Sequence, residues 1–244
     1  MSVYKKVAIT FVLIISILFG VGWYISSVYE DEVKNFILTE INNNLNTKVD
    51  IEQINFSVFK KFPYASLELK NVRADEVVDK KKKDDLFNIK SIYFQFNLLD
   101  IIRENYVIKQ IAVEDGFVNL KIDQQGNDNF HFWKKDTSNT ENPFKIELSK
   151  LVFENISLSM VNEFKKLDFI ILVDQLNLSG NFSDKDYTLT TDAKLLLQEL
   201  NSNNQKWIKN KKIKLAQSLA VNQETGKYNF KNGTVAIEDL KFNL

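Results

Sequence analysis

The sequence predicts a mainly β protein carried behind an apolar N-terminal helix. Three observations predict it: an uncharged run of 19 residues from Val7 to Ile25, a stretch of 3.6-residue periodicity after it, and period-2 alternation from about Val49 onward.

The run VAITFVLIISILFGVGWYI makes a helix about 28 Å long, close to the roughly 30 Å hydrocarbon core of a bilayer. Trp23 and Tyr24 stand at its far end, where amphipathic rings favour the lipid–water interface. Lys5 and Lys6 precede it, and Glu30, Asp31 and Glu32 follow. The excess of lysine on the short N-terminal side places residues 1–6 in the cytoplasm and the body across the membrane, with Lys5, Lys6, Trp23 and Tyr24 at the two interfaces. A cleaved signal peptide has a shorter apolar region ending in small residues. The bulky end of this run favours a retained single-pass anchor at residues 7–25.

Residues 30–46 read as an amphipathic helix. Val33, Phe36, Ile37, Ile41 and Leu45 fall on one stripe, and the first turn is acidic, as suits a helix N-terminus. Such a helix caps a core or, in the functional reading, forms a lid over one end of an apolar channel; the sequence favours the cap. The clearest strand is Ser91 to Leu98, where Ile92, Phe94, Phe96 and Leu98 alternate with polar neighbours and Tyr93. Similar alternation recurs at Leu67/Leu69, Val118/Leu120/Ile122, Ile146/Leu148, Ile156/Leu158/Met160, Leu167 to Val173, Leu176/Leu178, Leu195/Leu197 and Val235/Ile237. One apolar and one polar face is the mark of an antiparallel sheet with one wet side.

Turn signals lie at Glu114-Asp115-Gly116, Gln125-Gly126-Asn127, Ser179-Gly180-Asn181, Thr225-Gly226-Lys227 and Asn232-Gly233, with a further turn or bulge at Phe62-Pro63-Tyr64. A short helix is expected over Leu98 to Glu104, and solvated loops over Asp79 to Asp85 and Lys134 to Pro143. The loop at 134–143 divides the body into a first unit at 47–133 and a second at 144–244. The 219 residues after the anchor supply about a dozen strands, a sheet roughly 55–60 Å across.

Composition excludes much chemistry. With no cysteine there is no disulfide, no thiol nucleophile and no Cys-ligated zinc. His131 is the only histidine, so a two-His metal site is excluded; beside a loop, it reads as a solvent-edge strand residue. The 32 basic and 32 acidic side chains balance, which removes the overall footprint of a nucleic-acid binder. No glycine spacing makes a phosphate-binding loop. The expectation is a protein that is not an enzyme, with no catalytic, cofactor-binding or metal-binding residues and no cofactor. An outer-membrane barrel is disfavoured by the anchor and by the charges between strands.

The chain resembles the AsmA-like proteins of Gram-negative bacteria. The resemblance is carried by VDIEQINFSVFKKFPYASLELKNVRA at Val49 to Ala74, by IKSIYFQFNLLDIIRENYVIKQIAVEDGFVNLKIDQQGNDNFHFW at Ile89 to Trp133, and by a β unit at Ile146 to Ala193 with KLVFENISLSM and LNLSGNF. Its motifs are hydrophobic patterns whose order and spacing together carry the match, over nearly the whole chain.

The resemblance implies an inner-membrane anchor, a periplasmic body and a curled antiparallel sheet, or β-groove, with an apolar interior. It also implies links to outer-membrane assembly, to protein targeting to that membrane and to phospholipid transport. Composition alone favours an ordinary core for the 19 phenylalanines; with the family, a lipid-facing trough is favoured. Its expected lining is Ile92, Phe94, Phe96, Leu98, Val118, Leu120, Ile122, Ile156, Leu158 and Met160. The expected partners are the membrane, phospholipid and outer-membrane assembly components, with no nucleic acid. The alternative is a membrane-tethered scaffold or regulator that carries no lipid. Because AsmA-like chains are usually longer, the second unit reads as truncated.

Overall fold

The computed structural model describes residues 16, 20–25, 27–35, 37–39, 41, 45, 49–76, 84–103, 105, 107–131, 146–182, 185–203 and 205–244. Strand makes up 70% of the described residues, and these strands form one open sheet in which spatial order follows chain order. The ten strands are β1 (Val49–Lys61), β2 (Tyr64–Asp75), β3 (Asp85–Asn97), β4 (Ile108–Ile122), β5 (Ile146–Asn162), β6 (Leu167–Ser179), β7 (Asp186–Ser202), β8 (Gln205–Asn222), β9 (Lys227–Ile237) and β10 (Leu240–Asn243). The ten strands among the described residues make a sheet about 43 Å across, against the dozen expected for the whole body.

All pairings are antiparallel except β4 with β5, which are parallel. That pairing spans the expected division at 134–143, so the two expected units share one uninterrupted hydrogen-bonded sheet. The loops expected at 79–85 and 134–143 lie almost wholly outside the described residues. Two helices accompany the sheet. The described residues from 20 to 41 are helical (α1), and Leu98–Ile102 form α2, whose first turn is capped by the Asn97 side chain accepting from the Leu99 N–H at 2.9 Å. Residues 20–25, at the end of the expected anchor helix, are helical, as are residues 27–29 between the two expected helices, and Ile25 is buried with Val33 and Ile37. The side chain of Phe36 lies outside the described residues. No described helix is long and apolar enough to cross a membrane; of the expected span, residues 7–15 and 17–19 lie outside the description.

Following Cα partners across the sheet gives two apolar rows. One runs Ile54–Leu69–Ile92–Val113–Phe153–Leu176–Ala193–Leu215–Val235–Phe242, one residue from each strand. The other runs Ile51–Val72–Ile89–Gly116–Ile156–Val173–Leu195–Ile213–Ile237–Leu240. In β1 to β6 the rows are three residues apart, an odd spacing that in a regular strand puts them on opposite faces. They nevertheless pack together: Ile89, Ile156 and Val173 share a cluster with Ile92, Val113, Phe153 and Leu176.

An extra residue in each strand reconciles the two. It takes positive φ at Asn71 (49°), Asp115 (56°) and Asn155 (55°), residue types that tolerate the left-handed region. The extra residues and their neighbours join across strands: the Asn71 amide donates to Glu52 at 2.6 Å, and the Asn155 amide donates to Asp115 at 3.1 Å. The triplet Glu114-Asp115-Gly116, expected as a turn, is this bulge in the middle of β4, and Asn232-Gly233 likewise lies inside β9.

Gly116 occupies its place in the second row because a Cβ there would stand 2.3 Å from the Asn88 carbonyl oxygen and 2.8 Å from the Ile89 Cα. Neither is the movable end of a side chain. Gly116→Ala is expected to destabilise the fold by about 1–3 kcal/mol, the usual cost of overpacking. A thermal melt of the variant indistinguishable from wild type would contradict this register.

Candidate functional site

The apolar face divides into a covered and an uncovered half. Helix α1 lies over the first four strands: Ile25, Val33 and Ile37 share one core with Phe56, Val58, Ala65, Leu67, Leu69, Val72 and Phe96, with Leu148 of β5 at its margin. The contact is close, since a Cβ at Gly22 would collide with the Phe59 ring and Val58. Trp23 and Tyr24 point away and are 72% and 61% exposed. Lys5 and Lys6, their expected counterparts at the other interface, lie outside the described residues.

Of Ile92, Phe94, Phe96 and Leu98, expected to line an open trough, Phe96 belongs to the core that α1 shares, and the other three are partly buried and packed against that core. Phe96 is fully buried, and Leu98 opens α2 instead of closing the strand. The other six expected residues lie beyond the helix on the same face. Val118 pairs with Leu158 and Leu120 with Met160, while Ile156 sits in the second apolar row and is buried beside Val173. Ile122 pairs with Asn162 at the rim.

The pairings add residues that sequence reading left out of the lining. Leu120–Met160–Phe169–Leu200–Ile208 is a third apolar row across β4 to β8, and Val118–Leu158–Ile171–Leu197 a fourth. A register shift between Leu197 and Leu200 keeps both on this face. From β5 onward most of these side chains are half-buried, shielded by lateral neighbours, and no helix or second sheet lies over them among the described residues. At the last strand Leu240 and Phe242 are exposed.

The opposite face carries the charge. The Glu68 carboxylate, almost fully buried, accepts from the Lys60 ammonium at 2.8 Å, the Tyr93 hydroxyl at 2.7 Å and the Ser91 hydroxyl at 3.1 Å. Lys61 lies over the Tyr93 ring, 4.4 Å from its centroid, and pairs with Glu114 at 2.6 Å. Burial disfavours the Glu68 charge, but its three donors outweigh burial and hold the carboxyl down to about 2.

A second anchored group closes the loop after β4. The buried Asn129 side chain accepts from the Lys121 N–H at 2.8 Å and donates to the Asn119 carbonyl at 3.0 Å, standing in for a strand where β3 no longer pairs. His131 follows in this loop, exposed and 2.6 Å from Asp128, rather than in a strand. The Lys121 ammonium is held above its ordinary range chiefly by its bond to Asp84, with burial opposing and Glu76 assisting. Among the described residues no three His, Asp or Glu side chains gather as a metal site.

Searches of protein-family models, curated proteins and solved structures return no match to this chain. The likeness to AsmA-like proteins rests on the residues quoted above.

Because Glu68 ionises near 2 when folded and near 4.3 when unfolded, its contribution is complete above the unfolded value. It is lost as the pH falls from there through 2. Glu68→Gln is expected to destabilise the fold at neutral pH by on the order of 2–3 kcal/mol, with the gap closing toward about pH 2. Denaturant titrations of both proteins at neutral and acid pH check this; a gap independent of pH would contradict it.

Proposed function

We propose that the chain is an AsmA-like protein, held in the bacterial inner membrane by residues 7–25 with its N-terminus cytoplasmic and its body in the periplasm. There it supports outer-membrane biogenesis by binding or conducting phospholipid along an apolar β-groove. The single observation that carries the reading is the uncovered half of the apolar face, where four rows of Leu, Ile, Val, Phe and Met continue past α1 with nothing packed on them among the described residues.

The argument is energetic. Burying one such side chain fully stabilises by about 1.5–3 kcal/mol, so a face of half-buried side chains forgoes part of that at each residue left open. Apolar patches of this kind mark lipid or protein contacts. An acyl chain suits the face because each CH₂ removed from water contributes about 0.8 kcal/mol and no directional bond is required. The headgroup stays in water at the open side. No residue performs chemistry.

A second reading has one observation in its favour. The first half of the face is sealed by α1 around Phe96, as in a protein whose sheet serves as a membrane-tethered scaffold for outer-membrane assembly or targeting. The two readings separate at Phe169, in the uncovered half. Phe169→Asp is expected to leave the melting temperature within a few degrees of wild type and to lower severalfold the phospholipid that stays bound to the full chain after washing in mild detergent, measured by mass spectrometry. Phe96→Asp, in contrast, buries a charge at a cost on the order of several kcal/mol and is expected to unfold the sheet. Wild-type protein that is folded and lipid-free would favour the scaffold.

A further inference from the structure

The chain's zero net charge conceals a division. Residues 205–244 contain eight lysines against three acids, a net charge of +5, and the preceding 204 residues carry −5. Five of the eight lie within nine residues of β8, at 206, 209, 211, 212 and 214, and all five are exposed. Their carboxylate neighbours are few. Lys206 lies 3.4 Å from Glu199, which also faces Lys209 across the strand pair, and Glu238 accepts from the Lys212 backbone N–H rather than from its ammonium. Lys211, Lys212 and Lys214 have no ion-pair partner among the described residues. Lys214 is moreover paired directly with Lys194 of β7, a like-charge opposition that destabilises a sheet.

The fold places this segment at a corner. The pairing of β9 with β8 ends at Ile213↔Ile237, so among the described residues no strand pairs with residues 205–211 on that side. Trp207 projects from the same segment, 68% exposed. The third apolar row ends here too, at Ile208.

We infer that the corner formed by residues 206–214 docks on an anionic membrane surface. Lysines on both faces of β8 reach the headgroup plane, Trp207 enters the interface, and the open end of the apolar face is brought to the level of the acyl chains. Each lysine near an anionic leaflet adds to the attraction, and an exposed tryptophan among them favours a lipid interface over a purely aqueous polyanion. In what it serves, the docking rests on the lipid-binding reading above; the contact itself does not need it.

The test uses the full chain held in nanodiscs of neutral lipid, mixed with separate vesicles of phosphatidylcholine alone or with one-third phosphatidylglycerol, and read by flotation. The anionic vesicles are expected to be captured at least about tenfold more tightly, a preference that added salt removes. The variant Lys209→Gln/Lys211→Gln/Lys212→Gln/Lys214→Gln is expected to lose the preference with a melting temperature no lower than wild type, and the corresponding Lys→Arg variant to keep it.

Equal capture of both vesicles overturns the inference, as does a Gln variant that still prefers the anionic ones. A Gln variant that self-associates while still capturing vesicles would show that the lysines only keep a free strand edge from pairing, and also overturns it. Displacement of the vesicles by single-stranded RNA at lower concentration than by soluble anionic lipid would assign the corner to nucleic acid instead. If the Gln variant fails to fold, the salt series and the Arg variant decide. Protein that docks yet holds no phospholipid would sink lipid conduction and leave the docking intact.

Discussion

The structure depends on a register constraint: apolar side chains must stay on one face of a sheet ten strands wide. A β-strand changes face at every residue, so two rows three residues apart share a face only where an extra residue intervenes, as in β1 to β6, whereas the two-residue spacing of β7 to β10 needs none. Here the extra residues at Asn71, Asp115 and Asn155 are aligned and bonded to polar neighbours across the strands, and Gly116 removes the one side chain that the close approach of β3 would exclude. Four apolar rows result, two of them crossing all ten strands. Everything else in the fold is a response to that face.

The first half of the face is satisfied internally. Helix α1 places Ile25, Val33 and Ile37 against β1 to β4, and on the other side of those strands the buried Glu68 is held by Lys60, Tyr93 and Ser91, so this end is packed on both sides. From β5 onward the rows continue without a cover among the described residues, half-shielded by their own neighbours.

Within each short segment the sequence was a good guide: Ile156, Leu158 and Met160 share a face, as do Val118 and Leu120, and α2 and the turns at Gly126 and Gly226 fall where the local signals put them. The failures trace to the bulges. The apolar positions of β5 are even at Leu148, odd at Leu151 and Phe153 and even again from Ile156, so one strand of 17 residues reads as separate pieces. Asp-Gly in β4 and Asn-Gly in β9 have turn chemistry but serve inside strands. Strand β8 was illegible because lysines between 206 and 214 interrupt the apolar face that Ile208, Ile213 and Leu215 supply, and the pairing with β7 reveals it. The sequence also ran the four covered residues, Ile92 to Leu98, together with the uncovered ones. Strand periodicity reports which side a residue faces and carries no information on whether a distant helix lies over it.

Face alternation offers the most direct test of the central claim, that the uncovered rows of β5 to β8 hold acyl chains. Phe169 and Ile171 lie on the apolar face, while Ile170 between them is paired with Ser159 and Glu199 on the other. A photoreactive phenylalanine analogue placed at each position in turn, and irradiated in intact cells, should crosslink to phospholipid from 169 and 171 and fail to do so from 170. Equal crosslinking from all three positions, or none from any in a folded protein, would contradict the account.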